Sequence, residues 1–455
     1  VTTHLHDYRA PVTDGIVDGA ILMHREMARA MVARQNVALH DLTQGPDCLR
    51  AVRDGDVVYA GSGPFAHLYH LWRERSGVDF RIVREVHTAL WSGYWLQDEL
   101  CAPLVRPGDL ALFPTEYTRQ LFAHNFPSVR PDTSAVVYPF LDRLGSHAPV
   151  PTPAPGSTLR IGYLGALSEA KNFDQVLDVF GRVHRETGGA ATLLYAGKPN
   201  DPKWTEENIR DRVAAFGVPA SAIASAGILR QDELPAFFGA VDVLLFPSTA
   251  SRETLGRVVL EALSFGVPVL AADVGPAVEL LPERNLVPTR LSTGTELTMS
   301  KVGPLGQVDE AVLVAKLVER DYDRAGVLDR EPYLGSTFWR ALSGATAVTE
   351  RRHDGLLPRA VRVPARPEAA LAALEVAERV HLAFFTGQDG VLHGLLDEAG
   401  HERGEDLSKL RSIVDSPRRN LADYRALPKL LDAVVLPPLP YSLVNAEDLL
   451  TAGRT

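Results

Sequence analysis

Short apolar runs bounded by Gly, Pro or Asp recur along the first third of the chain, and most are separated by stretches with helical spacing. VTTHLHDY reads as a short strand, RAPVTDGIVDG as a turn-rich loop, and AILMHREMARAMVARQ as a helix with its apolar residues on one face. VALHDL, DVVYAGS, RIVREVH, GDLALFPT and SAVVYPF follow as further strands. Strands alternating with helices predict a parallel sheet covered on both faces. After a stretch rich in Pro and small residues, HAPVPTPAPGST, the same alternation restarts with LRIGYLGALSEAKNFDQVLDVF, ATLLYAGKP, AIASAGIL and ELPAFFGAVD. It runs on through Leu244 to Glu279, LLFPSTASRETLGRVVLEALSFGVPVLAADVGPAVE, then NLVP and the helical run VDEAVLVAKLVERDYD.

This pattern divides the chain into a Rossmann-like unit over 1–146, a linker over 147–158, a second Rossmann-like unit over 159–330, and a mainly helical extension over 331–455. The extension shows helical periodicity near FWRALSGATAVTE, EAALAALEVAERVHLAFF, GVLHGLLDEA and LPKLLDAVV. One of these is expected to cross back to the first unit, leaving the remainder to cover a cleft or form a homodimer surface.

Composition narrows the chemistry. A formal charge of −10 argues against a nucleic-acid surface, and 45% hydrophobic with 23% charged residues is ordinary for a soluble globular chain. Cys48 and Cys101 lie far apart without ligand spacing, so neither a disulfide framework nor a zinc site is indicated. With no leader and no apolar run of membrane length, a cytoplasmic protein is expected. GxSxG, HExxH and GxxxxGK[ST] are absent from the sequence.

The stretch from Leu244 to Glu279 carries the densest chemistry. Read as one helical segment, Glu253 and Glu261 lie about 12 Å apart along the axis and about 80° apart around it, on one broad face. Two acids so placed reach opposite ends of an extended ligand such as a nucleotide sugar. Between them, Gly256 opens a helix N-terminus whose amides suit a diphosphate. Equally, Glu253 is able simply to complement the helix dipole, with Glu261 a solvated acid.

The segment resembles the donor-binding core of the family-4 retaining glycosyltransferases of the GT-B fold. The matching parts are Pro247-Ser248, Glu253 to Glu261 with Gly256 inside, Gly266-Val267-Pro268-Val269, and Gly275 with Glu279. The resemblance implies two Rossmann-like domains facing each other across a cleft. It also implies transfer of a sugar from a nucleotide-diphosphate sugar to an acceptor hydroxyl with retention of configuration. Catalytic roles then fall on His87 and Glu253, and donor binding on Gly165, Lys171, Gly197, Ser248, Thr254, Leu255, Gly256 and Glu261. No metal or other cofactor is expected, because Lys171 and helix dipoles neutralise the leaving diphosphate.

His87 ends a strand-like run, where a lone His serves equally as a structural or exposed residue; the resemblance assigns it a contact with the donor sugar. Asp14 and Gly15 in the first loop, with Trp91 and Tyr94, are acceptor candidates, as are His4, His6, Asp7 and Tyr8. Thr115 to Thr118 resembles a surface turn, and Tyr138 to Asp142 part of the stretch before the linker. One departure stands out: where the family has an Arg clamping the diphosphate, this chain has Ala166. Arg252 or Arg257 would replace it if either turned inward. A sugar phosphorylase using inorganic phosphate, or a non-catalytic GT-B scaffold, are the alternative readings.

Overall fold

The computed structural model describes residues 1–6, 19–34, 36–40, 46–60, 65–86, 101, 104–125, 128–137, 153–154, 156–250, 253–292, 304–324 and 331–344. In the first half, the strands are β1 (Thr3–His6), β2 (Val37–His40), β3 (Val57–Ala60), β4 (Arg81–Glu85), β5 (Leu110–Phe113) and β6 (Ser134–Val136). The helices α1 (Gly19–Arg34), α2 (Phe65–Ser76) and α3 (Glu116–Asn125) lie between them. All six strands pair parallel in the order β2-β1-β3-β4-β5-β6.

The second half repeats the plan with strands β7 (Leu159–Leu164), β8 (Ala191–Ala196), β9 (Ile223–Ser225), β10 (Val243–Phe246), β11 (Val269–Ala272) and β12 (Leu286–Val287). Its helices are α4 (Phe173–Glu186), α5 (Glu206–Ala214), α6 (Leu234–Gly239), α7 (Arg257–Ser264), α8 (Ala277–Leu280) and α9 (Glu310–Glu319). This sheet is also wholly parallel, ordered β12-β11-β10-β7-β8-β9. The chain order reverses between β7 and β10, and a doubly wound sheet binds its ligands at the carboxyl ends of the strands at such a point.

The near-continuous apolar runs of these strands follow from burial on both faces. Along β10, Val243 and Leu245 enter one buried cluster, with Val176, Val179 and Phe180 of α4, while Leu244 and Phe246 enter the other, with Val259, Leu260 and Leu263 of α7. β11 alternates likewise, Val269 and Ala271 with α7, Leu270 and Ala272 with α4. The period of two thus assigns each residue its layer.

Between β12 and α9 the chain forms an antiparallel ribbon that the hydrophobic pattern does not announce, β13 (Thr289–Leu291) paired with β14 (Gly306–Val308). Its residues carry too little apolar alternation to mark a strand.

Residues of the extension return to the first domain. A short 3-10 turn (Glu331–Tyr333) leads into α10 (Gly335–Ser343), whose Phe338 ring packs edge-on against Tyr59 at 6.2 Å. The last carbonyls of a helix have no partner within it. Here Arg81 of β4 supplies one, its guanidinium donating to Leu342 O at 2.5 Å and Ala341 O at 3.1 Å. Arg34 lies over the Trp339 ring at 4.7 Å, and the Tyr333 hydroxyl donates to Pro114 O at 3.2 Å.

Candidate active site

At the reversal between β7 and β10 a pocket of about 340 Å³ opens, lined by Gly165, Ala166, Lys171, Ser248, Glu253, Gly256, Arg257 and Glu261 among others. Five of the expected donor-binding residues thus meet in one place with Glu253, although they are spread over nearly a hundred positions of sequence. They are delivered by the segments that leave β7 and β10 and by the first turns of α7.

Gly165 follows β7, and its amide donates to Ala196 O of β8 at 3.0 Å. Gly197 lies directly beneath it: a Cβ there would fall 1.7 Å from Gly165 O, and its φ of +150° is one that L side chains rarely adopt. Gly197 therefore does not line the pocket but lets the two strand ends approach. Lys171 stands at the end of a single 3-10 turn closed by Asn172, which adopts a left-handed conformation at φ 52°. The Asn172 amide then donates to Pro247 O at 2.9 Å, Thr249 Oγ1 at 3.1 Å and Gly306 O at 3.1 Å. That buried side chain ties the Lys171 turn to the loop after β10 and to β14.

Glu253 corrects the helical reading of this segment. α7 begins at Arg257, so Glu253 lies in the preceding loop, and Gly256 caps the helix in a left-handed conformation at φ 70°. An added Cβ at Gly256 would also stand 3.1 Å from the Phe246 ring. The Glu253 carboxylate is bound on three sides. It pairs with the Lys171 ammonium, accepts the Gly256 amide at 3.1 Å, and lies 3.4 Å from Ser248 Oγ. Part of the helix N-terminus expected to face a diphosphate is thus already occupied by this acid.

Glu261 sits one turn into α7 and accepts from Arg257 Nε at 2.7 Å. Burial pushes its carboxyl up, while the Arg257 charge opposes that shift. Arg257 does turn inward, and its terminal nitrogens donate to Glu26 of α1 at 3.1 and 3.0 Å. Thr254 and Leu255 stand outside the lining: the Leu255 side chain is in the core, and the Thr254 carbonyl is spent on the first domain. It accepts from Thr115 Oγ1 at 2.7 Å and Thr118 Oγ1 at 3.0 Å.

The segment expected to be a surface turn is accordingly an interdomain contact. Thr115, Glu116, Tyr117 and Thr118 are all buried, and the amides of Glu116 and Tyr117 donate to the Glu279 carboxylate at 2.8 and 2.6 Å. The hydroxyls of Tyr117 and Tyr163 are pushed up by burial and further by the nearby Glu253 charge. Arg257, the expected substitute for the missing Arg, lies at the site, and Tyr117, Asn172 and Glu279 adjoin it without having been assigned to it. Tyr117 and Glu279 fall in segments that carried a resemblance in sequence, whereas Asn172 carried none.

In the first domain, His4 is not an acceptor contact. It is buried within β1 in a chain of hydrogen bonds: the Tyr69 hydroxyl to His40 Nδ1 at 2.8 Å, His40 Nε2 to His4 Nδ1 at 2.9 Å, and His4 Nε2 to Asp56 at 3.0 Å. His6 is buried too, and its carbonyl accepts from His24 Nε2 at 3.0 Å. His87, Asp14, Gly15, Trp91, Tyr94, Asp7, Tyr8, Arg252 and the Tyr138 to Asp142 stretch lie outside the described residues.

A larger hollow of about 630 Å³ runs along the β13–β14 ribbon, away from the sheet reversal, with Arg290, Asp309 and Glu310 as its charged lining. Asp-x-Asp spacings occur at Asp54–Asp56 and Asp321–Asp323. Asp56 is committed to His4 and the Thr2 and Arg53 amides, and Asp321 and Asp323 to Arg284. Among the described residues, no group of three or more His, Cys, Asp or Glu is arranged to hold a metal ion, and no helix is long and apolar enough to cross a membrane.

Two doubly wound parallel sheets, in contact through the ends of α3, α7 and α8 and with the pocket at the crest of the second, define the class: this is a GT-B architecture. Anabaena HepE, solved in complex with UDP, superposes with a TM-score of 0.51 over 75% of this chain and 96% of that one, at 16% identity. Within that class, residues 158–293 match the family model described as glycosyl transferases group 1.

Among curated proteins, a GDP-mannose-dependent alpha-(1-6)-phosphatidylinositol monomannoside mannosyltransferase of Mycobacterium tuberculosis is 31% identical over 189 residues, 38% of this chain and 46% of that protein. The sulfoquinovosyl transferase SQD2 of Arabidopsis thaliana is 45% identical over 67 residues, 15% of this chain and 12% of that protein. The chain thus spans less than half the length of either relative.

Proposed function

We propose that this protein is a retaining glycosyltransferase that moves a sugar from a nucleotide-diphosphate sugar to a hydroxyl of an acceptor. The observation that carries this reading is the convergence of Lys171, Glu253 and Glu261 on one pocket at the carboxyl edge of the second sheet. Lys171 neutralises charge on the leaving diphosphate, Glu261 receives ribose hydroxyls, and Glu253 binds sugar hydroxyls. Its carboxylate is paired with the Lys171 ammonium in the pocket. The acceptor oxygen bonds to the anomeric carbon on the face from which the diphosphate oxygen departs, which retains configuration, and its proton passes to the leaving phosphate. No metal enters this scheme, since the lysine and the α7 dipole supply the positive field. The mycobacterial relative's dependence on GDP-mannose and the UDP bound by Anabaena HepE support a nucleotide-sugar donor without choosing its base.

The test is thermal melting of the whole chain with UDP, GDP, ADP, dTDP and inorganic phosphate. A ligand at about 100 times its dissociation constant adds about 2.7 kcal/mol of stability, a readable shift. A shift with one nucleotide identifies the donor class. A shift with phosphate alone points instead to phosphorolysis, and a nucleotide that binds without turnover of its sugar points to a scaffold.

A further inference from the structure

Two cations line the pocket among the described residues, Lys171 and Arg257, and both are already matched by carboxylates that face them. Arg257 is the more heavily committed. Its Nε is held by Glu261 on its own helix, and its two terminal nitrogens meet both oxygens of Glu26, at 3.1 and 3.0 Å. That forked pairing presents the guanidinium with the same planar, two-oxygen face that a phosphate offers. On the β7 side of the pocket Ala166 supplies only a methyl group.

A diphosphate would bring at least two negative charges into this space. With Glu26, Glu253 and Glu261 all retained, it would meet more anions than cations at hydrogen-bond range, and like charges there oppose binding. One carboxylate must give way. Glu261 is anchored on the same helix as Arg257 and buried to 14% side-chain exposure, whereas Glu26 belongs to the other domain and is 32% exposed. The buried guanidinium cannot lose an anion without a replacement, which couples the departure of Glu26 to the arrival of the ligand.

We infer that Arg257 is the second phosphate-contacting residue of the pocket, and that Glu26 is a placeholder anion from the first domain that the donor diphosphate displaces. This rests on the nucleotide-sugar reading above. Donor binding then exchanges an interdomain ion pair for a ligand contact, so occupancy of the phosphate site and the position of α1 are linked.

The experiment is equilibrium titration of the whole chain, as wild type, Glu26→Gln, Arg257→Gln and the double variant. The ligands are UDP, GDP, ADP and dTDP, each beside its parent nucleoside. Removing the placeholder is expected to tighten the bound diphosphate by about fivefold or more. Removing the guanidinium is expected to weaken it by about tenfold or more, as loss of a charge-assisted hydrogen bond does. Nucleoside binding should stay level in Glu26→Gln, and the gain from Glu26→Gln should vanish when Arg257 is absent.

Unchanged or weaker diphosphate binding by Glu26→Gln overturns the exchange, as does a gain that survives without Arg257. Glu26 is partly exposed on a helix surface, so its variant keeps the test alive if Arg257→Gln fails to fold. Should no diphosphate bind the wild type, the donor reading itself falls and takes this inference with it. Should one bind indifferently to Glu26, only the exchange falls.

Discussion

The carboxylate of Glu279, in the second domain, holds the backbone N–H of Tyr117, in the first, at 2.6 Å, with the neighbouring Glu116 amide at 2.8 Å. The first turn of α3 is thus capped from outside its own domain, and the negative charge also meets the positive end of the helix dipole. Glu279→Ala leaves two buried amides unpaired. It is expected to cost about 1–2 kcal/mol, in the range of a lost helix cap. Chemical denaturation measures that cost, and small-angle scattering should show a larger radius of gyration as the domains part. An unchanged stability and radius would show that the contact does not hold the domains together.

Lys171 and Glu253 are paired in the pocket, and the proposed reading gives them different parts of the donor, so their variants should separate. Lys171→Met is expected to weaken nucleoside diphosphate binding by about tenfold or more, in line with a lost charge-assisted bond. Glu253→Gln should bind the diphosphate as well or better, because the lysine is released, yet transfer sugar more slowly at saturating donor. Titration beside a transfer assay distinguishes the two; equal losses of binding would contradict the division of roles.

Gly197→Ala would drive a Cβ to 1.7 Å from Gly165 O, a backbone atom unable to yield without moving the end of β7. A loss of more than about 2 kcal/mol is expected, as for other substitutions at positions of special backbone geometry. The same change at Gly239, where an added Cβ meets nothing within 4 Å, should leave stability nearly unaltered. Thermal melting of both variants checks the contrast.

Stability should fall with pH in two windows. Burial, and then the neighbouring His4, depress His40 from its ordinary 6.5 to about 4, and a proton on Nδ1 would also oppose the bond from the Tyr69 hydroxyl. The unfolded chain therefore takes up a proton between those values that the folded chain refuses, and stability present above pH 6.5 drains away as pH drops towards 4. Its size is about 3 kcal/mol. Asp56 and Asp109 are held below the usual carboxylate range, against the upward push of burial, by bonds from Thr2 and His4 and from Arg73 respectively. Their contribution is lost only below pH 3.8. Urea melts across pH 7 to 4 measure the first window, and His40→Gln should flatten it.

Periodicity and turn residues made the alternation of strands and helices in both halves legible, because parallel strands buried on both faces leave a run of apolar residues between Gly and Pro; the weight placed on the Glu253 to Glu261 segment came from its resemblance to a known family. The β13–β14 ribbon was not legible, since polar, exposed strands lack that alternation. Nor was the start of α7: Gly256 in a left-handed conformation ends the helix where a continuous pattern of spacing suggested it ran on to Glu253.

Local sequence thus singled out Lys171, Ser248, Gly256 and Glu261, and the fold brings all four to one pocket beside the ends of β7 and β10. Only the tertiary structure decided what each of them touches. Arg257 faces inward, paired with Glu26 of the other domain as well as with Glu261, and Glu279 caps a helix 162 residues away. His4, polar and near a strand end, proved to be a buried structural link with His40 and Asp56. The physical reason is range: hydrophobic periodicity is a property of neighbours in sequence, whereas ion pairs and hydrogen bonds between domains depend on how two finished surfaces meet.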